Sequence, residues 1–473
     1  MNKKNVLRLL ICITLIALVI AMGAVALATN TGDINGDGKI TAFDAQMIAE
    51  GQAGLRQLTD EQKLAAAGLT VRELIQQILS FKEVNVYLAE NGSDDNSGTE
   101  AAPYATLAKA LEKVPDGGTI HVTGTVAVAE SFRFPDLGKS VTISGGTLDF
   151  SAIPASKDIR LLDPMRFEGV QLVFTEKAIV LCNGNSLYID ENVTMNTPIT
   201  LYGGSNGTVL TGTDMTVLGG QYAAIYGGSY QAQINGDVNL VVGGNVNPTL
   251  NTSNHNLYQN VYGGSKNGNI DGKVTVTVTG NAKVCNVYGG CDGNTNIPEV
   301  TITGGSVVNI ESGTFMGICG GGRRVNQIGD ATVNFSGGYT EQVFGGCERG
   351  PLTGDVAVNL TGGTISRRVY GGCYNEYGDA GFDTAHYVTG NIDLTIAQGV
   401  NITLAFNDAD RGIYGRSRQS NASATEVSTI VFADQTAYDT YNGKLGAYDL
   451  LMKFIMRDIS AADHIAKQWE TAV

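Results

Sequence analysis

Residues 33–44 (DINGDGKITAFD) alternate hard oxygen donors with turn formers. Asp33, Asn35, Asp37, Lys39, Thr41 and Asp44 occupy positions 1, 3, 5, 7, 9 and 12 of the stretch. Calcium takes six or more oxygens, and alternate residues of a tight loop turn theirs inward. Gly38 supplies the sharp bend at position 6. In this reading Lys39 lends its backbone carbonyl, and Thr41 acts directly or through a water. Asp44 closes the site from the first turn of a helix that carries Phe43, Met47 and Ile48. The bland alternative is an Asp/Gly-rich surface turn. An oxygen at every ligand position favours calcium.

A second set of candidates recurs along the chain. Aliphatic-aromatic-Gly-Gly appears at Leu201-Tyr202, Ile225-Tyr226, Val261-Tyr262, Val287-Tyr288, Val343-Phe344 and Val369-Tyr370. Ile318-Cys319 takes the same place with a thiol for the ring, and Ile413-Tyr414 closes the series with one glycine. The closest spacings are 24 to 26 residues. If these units stack, three columns form. Tyr226, Tyr262, Tyr288, Phe344 and Tyr370 make a file of rings, opposite in parity to their aliphatic neighbours. Outward rings offer a platform for sugars; the alternative is rings packed on one another, which would only stiffen the structure, or rings buried under a loop. Three residues after each ring come Ser205, Ser229, Ser265, Cys291, Gly322, Cys347 and Cys373. That column reads as inner packing, with a Cys347–Cys373 disulfide as the alternative. Four residues after come Lys266, Asp292, Arg323, Glu348 and Tyr374, alternating in sign. They read as a solvated ion ladder that keeps register. The sharper alternative is a site where carboxylates hold calcium and an arginine takes a proton. The stretch NEYGDAGFDTAHYVTG after Cys373 breaks the repeat and adds Glu376, Asp379, Asp383 and His386.

Stacking requires strands to position these columns. Runs such as VNLVVGG, VTVTVTG, TVNFSGG and VAVNLTGG alternate apolar and polar residues with period two, which is strand periodicity. One unit cannot bury its apolar side, but piled copies can. The expected fold is mainly β, a right-handed parallel β-helix over residues 84–430. At about 26 residues per coil and about 4.8 Å between strands, it spans about twelve coils and about 58 Å. A propeller blade needs about 40 residues and fits worse. A helix at 103–114, with Leu107, Ala110, Leu111 and Val114 on one face, caps the start. Leu451, Phe454, Ile455 and Ile459 fall on a helical stripe, so 431–473 is expected to be a helical C-terminal cap.

Ahead of the rod stand two further segments. Lys3, Lys4 and Arg8 precede an apolar run at 9–28 ending Ala26-Leu27-Ala28, the pattern of a cleaved export signal. An uncleaved membrane anchor is the alternative. Residues 29–80 hold the calcium loop and a second helical stripe of Val71, Leu74, Ile75, Ile78 and Leu79.

Two family resemblances follow from these residues. Residues 32–80 resemble a dockerin, which implies calcium-dependent attachment to a cohesin-bearing scaffold protein. LAAAGLTVRE stands where a second Asp/Asn-rich loop belongs, and Ala49 and Glu50 where dockerins tend to place basic residues. The resemblance here thus implies an EF-hand-like module with one calcium. The entry to the rod resembles the N-terminal cap of pectin-lyase-like proteins. Asn91-Gly92, Pro103, Thr106-Leu107, Ala110 and Gly118-Thr119-Ile120 carry that likeness. It implies enzymes that work on polysaccharides from one rod face.

Composition narrows the functions. The chain has 473 residues and a formal charge of −15, which disfavours nucleic acid as a partner. Loss of residues 1–28 would make it three charges more acidic. Its 62 glycines show no every-third pattern, so it is not collagen-like. The expectation is a secreted or cell-surface rod, without catalysis, that displays a surface for polysaccharide or host glycan. A polysaccharide lyase or hydrolase is the alternative, and a purely structural surface protein the third class.

Overall fold

The computed structural model describes residues 85–252, 259–293, 299–374, 387–405, 412–418 and 426–445, with the backbone of two later strands, Lys453–Met456 and Lys467–Glu470. Residues 1–84 lie outside the described residues. The leader at 1–28 and the calcium loop of Asp33, Asn35, Asp37, Lys39, Thr41 and Asp44 are therefore not described.

Two long sheets dominate. The first, here the long sheet, has fifteen strands from Asn85–Ala89 onward. All its pairs are parallel except the last, between Lys453–Met456 and Lys467–Glu470. The second sheet has eleven strands and begins with Ile159–Arg160. A third side carries four short strands early (Thr125–Ala127 to Thr194–Met195) and three later (Glu299–Thr301, Asn326–Ile328, Leu352–Thr353). Isolated bridges link Leu210, Ile234, Ile270 and Ile302 between those groups. The chain visits these sides in rotation. Each strand thus pairs with the one a coil later, an architecture compatible with a parallel β-helix.

Alternation fills the interior with aliphatic files. Met215, Leu240, Val276, Val308, Val333, Val358, Leu394 and Ile430 pair in sequence along the long sheet. Leu201, Ile225, Val261, Val287, Ile318, Val343, Val369 and Ile413 do so along the second. None of these sixteen side chains is more than 1% exposed. Burying each contributes about 1.5–3 kcal/mol, and only the neighbouring coils make that burial available.

The Gly-Gly pairs have a steric cause. A Cβ on Gly345 would sit 1.9 Å from the Gly371 carbonyl oxygen of the next coil, and one on Gly289 2.1 Å from that of Gly320. A Cβ on the second glycine, Gly346, would sit 2.5 Å from Cys373 Sγ. Stacked turns leave no room for side chains there.

At the N-terminal end, α1 (Leu107–Lys113) buries Leu107, Ala110 and Leu111. Thr106 caps it, its Oγ1 accepting from the Lys109 N–H at 3.2 Å. Asp94 in turn accepts from the N–H and hydroxyl of Thr106 at 2.9 and 2.7 Å. The C-terminal end departs from the expectation. A short helix, α2 (Gln435–Tyr441), follows Val427–Phe432, but the segment holding Phe454 and Ile455 is a strand paired to Val427–Phe432. The exposed N–H and C=O groups of an open sheet edge recruit extended backbone, and that outweighs a helical spacing of apolar residues.

Candidate functional site

The rings point outward from the second sheet, as their parity requires, yet they are not open to solvent. Tyr226, Tyr262, Tyr288, Phe344 and Tyr370 are between 0 and 5% exposed. Tyr202, Tyr226, Tyr262 and Tyr288 stack face to face, with centroids 4.5, 4.7 and 4.9 Å apart and planes within 9° of parallel. The buried Cys319 thiol interrupts the pile, which resumes through Phe344, Tyr370 and Tyr414. Each stacked ring face is covered by the next ring. The platform expected for sugars at Tyr226, Tyr262, Tyr288, Phe344 and Tyr370 is therefore closed in this structure.

A further layer covers the rings from outside. The Tyr226 hydroxyl donates to Asp292 Oδ2 at 2.9 Å, and the Tyr288 hydroxyl to the Glu348 carboxylate. Each tyrosine thus reaches a turn two coils later. Burial, with the nearby carboxylates, pushes both hydroxyls well above the usual phenol range and keeps them protonated as donors. Arg323 lies 3.7 Å from Asp292 and 3.6 Å from Glu348, and Arg349 lies 3.3 Å from Glu348. These four side chains are only 11–14% exposed. Bridges Arg323–Glu348 and Glu348–Tyr374 hold the turns in register. The alternating charges therefore form a largely buried ladder, with both carboxylates engaged by a phenol and an arginine. Among the described residues no three His, Cys, Asp or Glu side chains converge as a metal site.

The Ser/Cys column also has a physical role. Ser229 N–H donates to Ser265 Oγ at 3.0 Å, and Ser265 N–H to Cys291 Sγ at 3.2 Å. Cys347 N–H donates to Cys373 Sγ at 3.3 Å, and Cys373 N–H to Ser417 Oγ at 2.7 Å. At these turns the backbone donor is met by a side chain from the next coil, as buried N–H groups require; the column is interrupted at Gly322, which has no side chain to offer Cys291. Cys347 and Cys373 are buried free thiols, as are the other four described cysteines. Burial pushes the Cys291 thiol up to about 12.

Sequence reasoning missed one feature, a corner dense in arginine at the later coils of the second sheet. Arg368 and Arg418 meet there at Tyr374, with Arg367 and Arg416 on the same two coils and Arg349 on the turn bonded to Tyr374. Tyr374 stacks on Phe344 at 4.3 Å. The guanidinium carbons of Arg418 and Arg368 lie 4.9 and 5.4 Å from its ring centre. Arg368 is buried, and its Nε donates to Gln342 Oε1 at 3.0 Å. Arg367 reaches Glu341 at 4.0 Å, while Arg416 and Arg418 are partly exposed. The available signal was the pair of triplets Ser366-Arg367-Arg368 and Arg416-Ser417-Arg418, which fall in consecutive coils. Glu376, Asp379, Asp383 and His386 lie outside the described residues.

The chain matches no family model, no curated protein and no solved structure in comparisons with known proteins.

Proposed function

We propose that this chain is an exported right-handed parallel β-helix that binds a carboxylate-bearing polysaccharide without cleaving it. One observation carries the reading: the partly exposed Arg418 guanidinium lies over the Tyr374 ring, with Arg416 on the same turn and Arg349 on the turn bonded to Tyr374, in a chain whose formal charge is −15. A guanidinium matches a carboxylate with two parallel hydrogen bonds, and clustered cations raise the local concentration of an anionic polymer. The carboxylates at this corner are engaged: Glu341 faces Arg367, Glu348 accepts from Tyr288 beside Arg349, and buried Glu426 accepts from Ser417. That argues for binding without proton transfer. The likeness to pectin-lyase-like rods supports a ligand laid along one face. The export signal supports a secreted or cell-surface location. The dockerin-like module, with Asp33, Asn35, Asp37, Lys39, Thr41 and Asp44 around one calcium, supports attachment to a cohesin-bearing scaffold.

Calorimetry with polygalacturonate tests the binding. The expected result is an affinity that falls with salt and drops at least tenfold in the Arg416→Ser/Arg418→Ser double variant. Absence of binding to any acidic glycan on an array would remove the reading. Release of unsaturated ends, followed by ultraviolet absorbance, would replace it with a lyase. For the attachment module, Asp37→Ala is expected to abolish calcium uptake; unchanged uptake by calorimetry would refute the site.

A further inference from the structure

The outer face of the long sheet is unlike the ring-bearing face. Eight consecutive strands, from Thr213–Val217 to Val427–Phe432, present two outward files. One file runs through Thr277, Asn309, Asn334 and Asn359, which are register partners in successive coils. Beside it run Thr275, Val307, Thr332 and Ala357. All eight side chains are partly exposed. They are short and uncharged, and the nearest charges on these files are Asp214 and Asp393 toward the two ends.

The asparagines form a ladder. Asn334 Nδ2 donates to Asn309 Oδ1 at 2.8 Å, and Asn359 Nδ2 to Asn334 Oδ1 at 2.9 Å. Asn309 Nδ2 reaches Thr277 Oγ1 at 3.4 Å. An amide has two N–H donors and an oxygen with two lone pairs. The ladder uses one donor and one lone pair of Asn334 and leaves one of each. Such side-chain ladders also hold a many-stranded sheet flat.

We infer that this face is where two copies of the chain pack against each other. Four features select a second copy. The face carries donors and acceptors in equal measure, so it is complementary to itself, as a two-fold interface requires. Its groups repeat at the strand spacing of about 4.8 Å, a repeat that another such sheet matches coil for coil. Between Asp214 on the first of these strands and Asp393 on the seventh it carries none of the charges with which exposed β surfaces ordinarily resist association. Finally, five-residue strands about 17 Å long, over eight strands, offer roughly 650 Å² per copy. Two copies would then bury roughly 1,300 Å², within the range of stable interfaces. Small side chains suit sheets packed about 10 Å apart or closer.

Sedimentation velocity on the exported chain tests this. The expected result is a particle of twice the monomer mass at micromolar concentration. Thr332→Lys places a cation at the centre of both faces and should weaken self-association at least tenfold, with thermal unfolding of the monomer unchanged. Ala357→Lys provides the same test should Thr332→Lys disturb folding. Thr332→Ser should leave the dimer intact. A wild-type chain that stays monomeric at about 100 µM overturns the inference. So does a dimer that survives both lysine variants, or a monomer that coats an insoluble polysaccharide through this face.

Discussion

The two long sheets send side chains outward by the same rule and meet different fates. On the second sheet the outward rings are stacked and buried, beneath a layer of Asp292, Arg323, Glu348 and Arg349. On the long sheet Thr277, Asn309, Asn334 and Asn359 remain partly exposed. Alternation tells which side of a strand a residue takes. It does not tell whether another layer covers that side. The covering layer exists because Asp292 and Glu348, just past their Gly-Gly turns, reach back to the hydroxyls of rings two coils earlier. Among the described residues no such cover lies over Thr277, Asn309, Asn334 and Asn359, which stay partly exposed. The rod therefore has a second small core on one flank and an open amide surface on another.

Substitutions on the two faces should separate in magnitude. The largest effect is expected at the turn that builds the covered face. Gly345→Val forces a side chain against the Gly371 carbonyl, 1.9 Å from the built Cβ. It should cost about 4 kcal/mol or more, read as loss of a cooperative urea transition. A variant with wild-type stability would mean that the turns are not stacked as described.

Next comes the ring pile. Tyr288→Ala removes a fully buried ring and should cost about 3–5 kcal/mol. Tyr288→Phe keeps the ring and deprives Glu348 of its phenol donor, at about 1–2 kcal/mol. Equal costs for the two would show that the ring, as opposed to its hydroxyl, contributes nothing, and the stack would lose its assigned role. The smallest effect belongs to the open face. Asn334→Ala breaks two exposed amide contacts and should cost about 0.5–1 kcal/mol. A loss as large as that of Tyr288→Ala would erase the contrast between the faces.

Much of the fold was legible beforehand. The Gly-Gly repeats announced coils of about 26 residues, and in-register pairing then made Tyr262 and Tyr288, or Cys347 and Cys373, vertical neighbours. The sign alternation of Asp292, Arg323 and Glu348 announced an ion ladder, but a solvated one; its burial over the rings was not legible. The stripe from Leu107 announced α1. Other features were hidden. The arginine corner brings Arg368 and Arg418 to Tyr374 across stretches that vary in length, so no fixed period points to it. The strand at Lys453–Met456 carries a helical spacing of apolar residues, and only the open edge of Val427–Phe432 explains its extended form.

The amino-acid order by itself determined coil length, strand alternation and the identity of each column. The Gly-Gly turns fix the register because glycines of successive coils must stack where no side chain fits. Tertiary structure alone decided that the rings close into a core while the asparagines stay partly open. Burial depends on what packs from outside a sheet, and in this chain that cover comes from turns two coils away.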